Sequence, residues 1–158
     1  WMAPFLSFTA KQAWKVFGGQ DSIFVEQYQS LGLPDAGLLA KWERIRAIRD
    51  VVNKDIEALR AAGQVGASLQ ANVTLSVGLE DHALLATLGD DLKFVLITST
   101  AELAAGDALQ VSVTPSSDPK CERCWHYRSD VGQQAAHPTL CGRCVSNLFG
   151  AGEDRVHA

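Results

Sequence analysis

The sequence lacks any apolar run long enough to cross a membrane, and no signal-peptide pattern opens it. A membrane-spanning helix needs about 20 consecutive apolar residues, and a secretory leader needs a cationic start followed by an apolar stretch. The signatures of phosphate-binding loops, the serine-hydrolase elbow and the zinc-protease helix are also missing. These absences favour a cytoplasmic binding or scaffolding piece with no catalytic residues of its own and no membrane partner.

Cysteine is scarce, with four residues in the chain, and all of them occur in two C-x-x-C pairs. A tight turn between two cysteines points both sulfurs inward, so two such pairs predict a tetrahedral shell around one zinc ion. Four thiolate ligands leave no open coordination position, and the zinc is therefore expected to be structural. The predicted ligands are Cys121, Cys124, Cys141 and Cys144.

Three alternatives to this site remain open from the sequence. Two disulfides would need an oxidising compartment, and rubredoxin-like iron uses the same four thiolates. His126 or His137 could replace one cysteine as a ligand. The segment between the pairs holds few large apolar residues, so metal binding is expected to supply its folding free energy. We therefore expect a chelator to unfold residues 119–147 and leave the rest intact.

Charge is unevenly distributed along a chain whose formal net charge is −4. Residues 66–118 carry seven acids against one base, which makes this segment a poor surface for phosphates. Residues 38–63 carry six bases against four acids. The side chains of residues 119–147 sum to +2, and four thiolates with one zinc ion bring that segment close to neutral. The arginines near the cysteines are thus needed in part to balance the thiolates.

The opening stretch, Trp1 to Leu6, has the pattern of the last turn of an amphipathic helix, so we expect the chain to continue a longer protein. Thr9 and Gln12 fit a capping box, which predicts a short helix from there to about Phe17. Residues 20–34 are expected to form a surface loop. The expected buried anchors of that loop are Ile23, Phe24 and Tyr28.

A long amphipathic helix is predicted over residues 36–62. Its apolar residues recur in steps of three and four, which places them on one continuous face. The residues of this face are Leu38, Trp42, Ile45, Ile48, Val52, Ile56 and Leu59.

The pattern after residue 66 indicates a small β-α-β-β unit. Residues 71–77 alternate as a strand, and residues 80–88 suggest a short helix. Residues 92–97 are more continuously apolar and are predicted to form a central strand. Residues 100–105 are assigned one helical turn, and residues 108–113 a third strand.

The fold class is therefore α+β: an N-terminal helical segment with one long helix, the small β-α-β-β unit, and a C-terminal four-cysteine zinc finger. The expected domains are residues 1–65, residues 66–118, and residues 119–158 for the finger and its tail.

Several segments resemble the C-terminal region of bacterial-type isoleucyl-tRNA synthetases. Trp1–Ala10 with Trp14 is similar to the W-x-A-P-x-L-S-F-T-A-x-x-x-W ending of an anticodon-domain helix. Gln70 stands where the family often has Glu, and Val65 where it often has Ile. The other similar segments are Asp21–Phe24, Arg49–Lys54, Gly66–Ala71, Lys120–Trp125 and Cys141–Asn147.

The resemblance implies a role in binding tRNA rather than a reaction site. The family attaches isoleucine to its tRNA with ATP and magnesium, in a catalytic domain whose motifs are absent from this sequence, as is the editing domain. The implied partner is tRNA(Ile), with no DNA, and the protein is expected to be a monomer. Splayed bases would stack on aromatic or arginine side chains. The candidate RNA-binding residues are Arg123, Trp125, Arg128, Arg143, Lys41, Arg44, Arg46 and Arg49.

Each of these candidates also has a structural interpretation. Trp125 could pack as a lid over the zinc sulfurs, and Arg123 and Arg143 could donate N–H bonds within the finger. The arginines of the long helix could form a solvated face with acidic partners. Two other functions stay open: the related finger of formamidopyrimidine-type DNA glycosylases, and a purely structural clasp that touches no nucleic acid. The strands and acidic segment before the finger differ from the helical segment that precedes the glycosylase finger.

Overall fold

The computed structural model describes residues 1–18, 21–28 and 30–153. The chain divides into two compact units, Trp1–Asp35 and Ala36–Ala158. Helices and one three-stranded sheet confirm the α+β class. Among the described residues, no helix combines the length and the apolarity needed to cross a membrane. The predicted division into three domains stays a prediction.

The first unit contains one α-helix, α1 (Ser7–Val16). No side-chain hydrogen bond caps its start, so the predicted capping box of Thr9 and Gln12 is wrong. The helix begins two residues earlier because the preceding turn already sets its direction, with the Ser7 hydroxyl donating to the Ala3 carbonyl at 3.1 Å. Before α1 the chain forms a single hydrogen-bonded turn and no separate helix, with the Leu6 N–H donating to the Met2 carbonyl at 2.8 Å.

The loop after α1 contains a short 3₁₀ turn at Ile23–Val25. Ile23 is half-buried, but Phe24 is 54% exposed and Tyr28 is 63% exposed, so the expectation of three buried anchors is wrong for two of them. An apolar side chain in a loop is buried only where another element covers it. Two residues of this predicted loop, Gln20 and Gln29, lie outside the described residues.

The second unit begins with the long helix, α2 (Ala36–Ala61), close to its predicted bounds. Its apolar stripe is buried in the middle, whereas Leu38 near its start is 50% exposed. The buried residues of the stripe are Ile45, Ile48, Val52 and Ile56. Their spacing of three and four residues is what places them on one face.

The sheet contains β1 (Ala71–Val77), β2 (Thr100–Ala105) and β3 (Gln110–Pro115), in the order β2-β1-β3. The central strand β1 is parallel to β2 and antiparallel to β3. A parallel pair needs a crossover connection, and here it contains α3 (Leu79–Ala86) and α4 (Leu92–Leu96).

Two of the predicted elements are wrong in this crossover. Residues 92–97, predicted as a central strand, form α4, and residues 100–105, assigned a helical turn, form β2. A short apolar run fits a buried strand and a buried helix equally well. Leu92 and Leu96 are buried with the spacing of a helix, and Ile97 ends α4 in the left-handed region at φ 59°. Pairing with β1 overrides the weak strand propensity of the alanines in β2.

One hydrophobic core joins α2, the sheet and the crossover helices. Alternate residues of β1 point into it, as its burial pattern shows. The fully buried side chains include Ile45, Ile48, Val52, Ile56, Val73, Leu75, Val77, Leu85, Leu88, Leu92 and Leu96. This core contains none of the four cysteines.

Candidate metal centre

The four cysteine sulfurs converge on one point, all within 4.8 Å of one another. The Sγ atoms of Cys124 and Cys141 are 3.7 Å apart. Zinc–sulfur bonds of about 2.3 Å in a tetrahedron would place the sulfurs about 3.8 Å apart, whereas a disulfide would bring them to about 2.05 Å. All four cysteines are free. The sulfurs therefore fit one metal ion, and the disulfide alternative is wrong.

The first pair of cysteines is held in a tight turn. The Trp125 N–H donates to the Cys121 carbonyl at 2.9 Å, and the Cys121 N–H donates to the His126 carbonyl at 2.9 Å. Lys120 and Tyr127 close the turn as an antiparallel bridge. Trp125 adopts φ 64°, which is rare for a bulky residue because its Cβ is crowded there. This turn directs the sulfurs inward while the Trp125 side chain stays 60% exposed.

The second pair lies at the start of helix α5 (Gly142–Phe149), an element that was not predicted. Cys141 immediately precedes the helix, and its carbonyl accepts the Val145 N–H at 3.0 Å. The Gly142 N–H donates to the Asp130 carboxylate at 3.1 Å, and a Cβ on Gly142 would lie 3.0 Å from the same oxygen. The positive end of the helix dipole favours thiolates at this position.

The thiols need a cation if all of them are to ionise. Burial by itself raises the pKa of Cys121, but backbone N–H donors, with a smaller contribution from the Cys124 side chain, lower it to about 6. For Cys124 and Cys141, burial raises the pKa of the thiol. Arg123 Nη1 lies 3.5 Å from Cys144 Sγ and supplies one positive charge. A divalent ion supplies two more positive charges, because buried thiolates require a paired charge.

The two candidate histidine ligands have other neighbours. His126 Nδ1 lies 3.1 Å from the Cys124 carbonyl oxygen, and its ring meets Phe94 edge-on at 5.5 Å. Burial lowers the pKa of His126, which favours the neutral form of the ring. His137 stacks on Phe149 at 4.0 Å. Among the described residues, the group with metal-binding geometry consists of the four cysteines.

Two arginines of the finger are engaged within the protein. Arg128 donates two hydrogen bonds to Asp130, at 2.9 and 3.1 Å. Arg143 pairs with Glu153 at 2.6 Å, and its guanidinium lies 4.6 Å from the centre of the Phe94 ring. These contacts reduce the availability of both charges for a phosphate.

The basic residues of α2 differ in their surroundings. Arg44 forms a bidentate pair with Asp81 at 2.7 and 2.6 Å. Asp81 is thus an acidic partner of the kind expected if the arginines of this helix form a solvated face. The hydrogen bond from Arg44 lowers the pKa of Asp81. Arg46 is exposed, whereas Lys41 and Arg49 are half-buried, and the Arg49 Nε atom has no hydrogen-bond partner in the described part of the chain.

Trp125, directly after Cys124, is an exposed aromatic side chain beside the metal site. Val131 and Leu140 are half-buried apolar side chains that pack against the cysteines. Lys120 Nζ lies 5.5 Å from the centre of the Trp125 ring. Lys120 was not among the predicted RNA-binding residues, although its position directly before Cys121 could have indicated it.

The finger also contacts the α/β part of the second unit. The Ser99 hydroxyl accepts the Tyr127 N–H at 2.6 Å and donates to the Leu69 carbonyl. Phe94 on α4 touches both His126 and Arg143. Neither Ser99 nor Phe94 carries a sequence signal for such contacts, because they arise from the packing of distant segments.

Comparisons with known proteins match both ends of the chain. Residues 118–147 match the family "Zinc finger found in FPG and IleRS", and residues 1–75 match "Anticodon-binding domain of tRNA ligase". The isoleucine–tRNA ligase of Ralstonia pickettii is 55% identical over 167 residues, covering 100% of this chain and 17% of that protein. The isoleucine–tRNA ligase of Cupriavidus necator is 53% identical over 169 residues, again covering 100% of this chain and 17% of that protein. That of Bordetella parapertussis is 52% identical over 170 residues, covering 99% and 18%.

These matches bear on the two nucleic-acid alternatives. The finger family includes the glycosylases, but the anticodon-binding match over residues 1–75 and the ligase relatives do not favour that alternative. The finger match and the geometry of the cysteines also identify the metal as one zinc ion. The chain spans 17–18% of the length of these relatives. Over that share it is 52–55% identical to isoleucine–tRNA ligases, with an anticodon-binding match at one end and a zinc-finger match near the other.

Proposed function

We propose that this chain is the tRNA-binding, zinc-finger part of an isoleucine–tRNA ligase, with tRNA(Ile) as its partner. The complete ligase would join isoleucine to this tRNA with ATP and magnesium, bound by residues outside this chain. The observation that carries the proposal is the match of residues 1–75 to an anticodon-binding domain in a chain that also holds the finger. We also propose that the protein is cytoplasmic and monomeric and that it does not bind DNA.

The face of the finger best suited to RNA consists of Lys120, Arg123 and Trp125, and is called the Trp125 face below. All three side chains are exposed. An exposed aromatic ring next to cations suits unstacked bases, because every base offers a π-face and the phosphates on either side carry negative charge. The sum of charges in the finger is near neutral, so we expect local contacts rather than a broad electrostatic attraction.

A second function, that of a purely structural clasp, is favoured by one observation. Arg128 and Arg143, two of the predicted RNA-binding residues, form ion pairs with Asp130 and Glu153 instead of lying free. A clasp would need these pairs and would not need the Trp125 face. The same binding experiment separates the two functions.

The test measures binding of the 158-residue chain to a tRNA(Ile) transcript at two salt concentrations. Trp125→Leu is expected to weaken binding at least fivefold, because one stacked base contributes about 1–3 kcal/mol. Lys120→Gln is expected to reduce the slope of log K against log salt by about 0.7–0.9, the contribution of one phosphate contact.

Two matched variants serve as controls. Phe149→Leu changes a finger aromatic of similar exposure, 62%, that stacks on His137. Arg60→Gln removes an exposed cation that pairs with Glu57 on α2. Both are expected to bind like the wild type. Equal losses in all four variants, or tighter binding to a DNA duplex with an abasic site, would contradict the proposal, and a folded chain that binds neither ligand would support the clasp.

A further inference from the structure

One buried hydroxyl connects the finger to the α/β part of the second unit. Ser99 is 3% exposed and lies just before β2. Its Oγ accepts the Tyr127 N–H at 2.6 Å from the finger and donates to the Leu69 carbonyl from the turn before β1. Its own N–H donates to the Ala71 carbonyl at 3.0 Å. Ser99 therefore joins the finger to the segments that lead into β1 and β2.

One aromatic ring contacts both halves of the zinc site. The Phe94 ring meets His126, two residues after Cys124, edge-on with an interplanar angle of 81°. The guanidinium of Arg143, which lies between the second pair of cysteines, sits 4.6 Å from the centre of the same ring. Glu153 holds Arg143 in that place at 2.6 Å. Such a cation over an aromatic face is favourable and directional.

We propose that Phe94 and Ser99 are positioning residues, which hold the finger against the α/β part in one orientation and so set the direction of the Trp125 face. Ser99 fixes the main chain of Tyr127, two residues from Trp125, while Phe94 fixes both cysteine turns. Neither residue needs to touch RNA. This inference rests on the proposed function, since it concerns how the Trp125 face is presented.

Docking of the finger before RNA arrives has a measurable consequence. If only the docked finger binds, the apparent dissociation constant rises by the factor by which the docked fraction falls. Loss of one buried hydrogen bond and one ring contact changes such an equilibrium by about tenfold or more. The zinc site should be unaffected, because Phe94 and Ser99 donate no ligand to it.

The experiment uses the full 158-residue chain and the double variant Phe94→Leu/Ser99→Ala. Phe94→Tyr keeps the ring and is the conservative variant, and Ser112→Ala removes an exposed hydroxyl on β3 as the matched control. Zinc content, the melting transition, amide exchange at Tyr127 and affinity for the tRNA(Ile) transcript are measured for each. The double variant should bind one zinc, exchange the Tyr127 amide faster and bind RNA about tenfold more weakly. Phe94→Tyr and Ser112→Ala should behave like the wild type.

The readouts distinguish failure of this inference from failure of the proposed function. Fast exchange at Tyr127 with unchanged RNA affinity would overturn the positioning role. Unchanged exchange in the double variant would overturn the docking contact itself. Loss of zinc from the double variant would overturn the inference. It would also be overturned if Ser112→Ala lowered the melting transition as much as the double variant does, because Phe94 and Ser99 would then contribute only to general stability. If the wild type binds no RNA while Tyr127 still responds to the double variant, the proposed function fails and the contact stands.

Discussion

Removal of zinc is expected to unfold residues 119–147 while the sheet and its helices stay folded. The two parts have different sources of stability. In the finger, the cysteine cluster is covered by only two half-buried aliphatic side chains, Val131 and Leu140. The core of the α/β part is built from buried residues of α2, β1 and the crossover helices.

The magnitudes favour a local effect. Full burial of an aliphatic side chain contributes about 1.5–3 kcal/mol, so the two half-buried side chains that pack against the cysteines contribute less than about 6 kcal/mol. Zinc in structural finger sites contributes about 10–16 kcal/mol of apparent binding free energy at neutral pH. The apolar burial alone is therefore smaller than the free energy that the metal supplies, before the entropy of ordering the segment is considered.

Amide hydrogen exchange with and without a strong chelator is the assay, with metal analysis to verify that zinc has been removed. The finger amides of Cys121 and Tyr127, which donate to the His126 carbonyl and to the Ser99 hydroxyl, should lose protection. Amides of β1 paired with β2 and β3 should keep theirs. Protected finger amides in the metal-free chain, or loss of protection in β1, would refute the separation of the two sources of stability.

Two further predictions concern the α/β part. Ile48→Ala empties a fully buried position of α2 and should lower the free energy of unfolding by about 2–5 kcal/mol, whereas Leu39→Ala, at 54% exposure on the same helix, should change it by less than about 0.5 kcal/mol in urea titrations. Arg44 lowers the folded-state pKa of Asp81, so the pair stabilises the fold above the unfolded pKa near about 4 and loses this effect as the pH falls through the folded value. Asp81→Asn should therefore lower the free energy of unfolding by about 0.5–1 kcal/mol at pH 7, since Arg44 is half-exposed. The same variant should not change this free energy near pH 2. An equal loss at both pH values would show that the ion pair is not the cause.

The zinc site and the long helix could be predicted from the sequence because each depends on local spacing. Two C-x-x-C pairs define a ligand set wherever the fold brings them together, and steps of three and four residues define a helix face. The structure brings the four sulfurs to one point and buries the middle of the α2 stripe.

Only the tertiary structure determines which apolar run forms a strand and which arginines pair with an acidic residue of the protein. The run at residues 92–97 carries no period that separates helix from strand, and the run at residues 100–105 becomes a strand only because β1 offers it a parallel partner. Arg44 meets Asp81 across 37 positions of sequence, and Ser99 meets Tyr127 across 28. Contacts over such separations depend on how the elements pack, and no local pattern of residues encodes them.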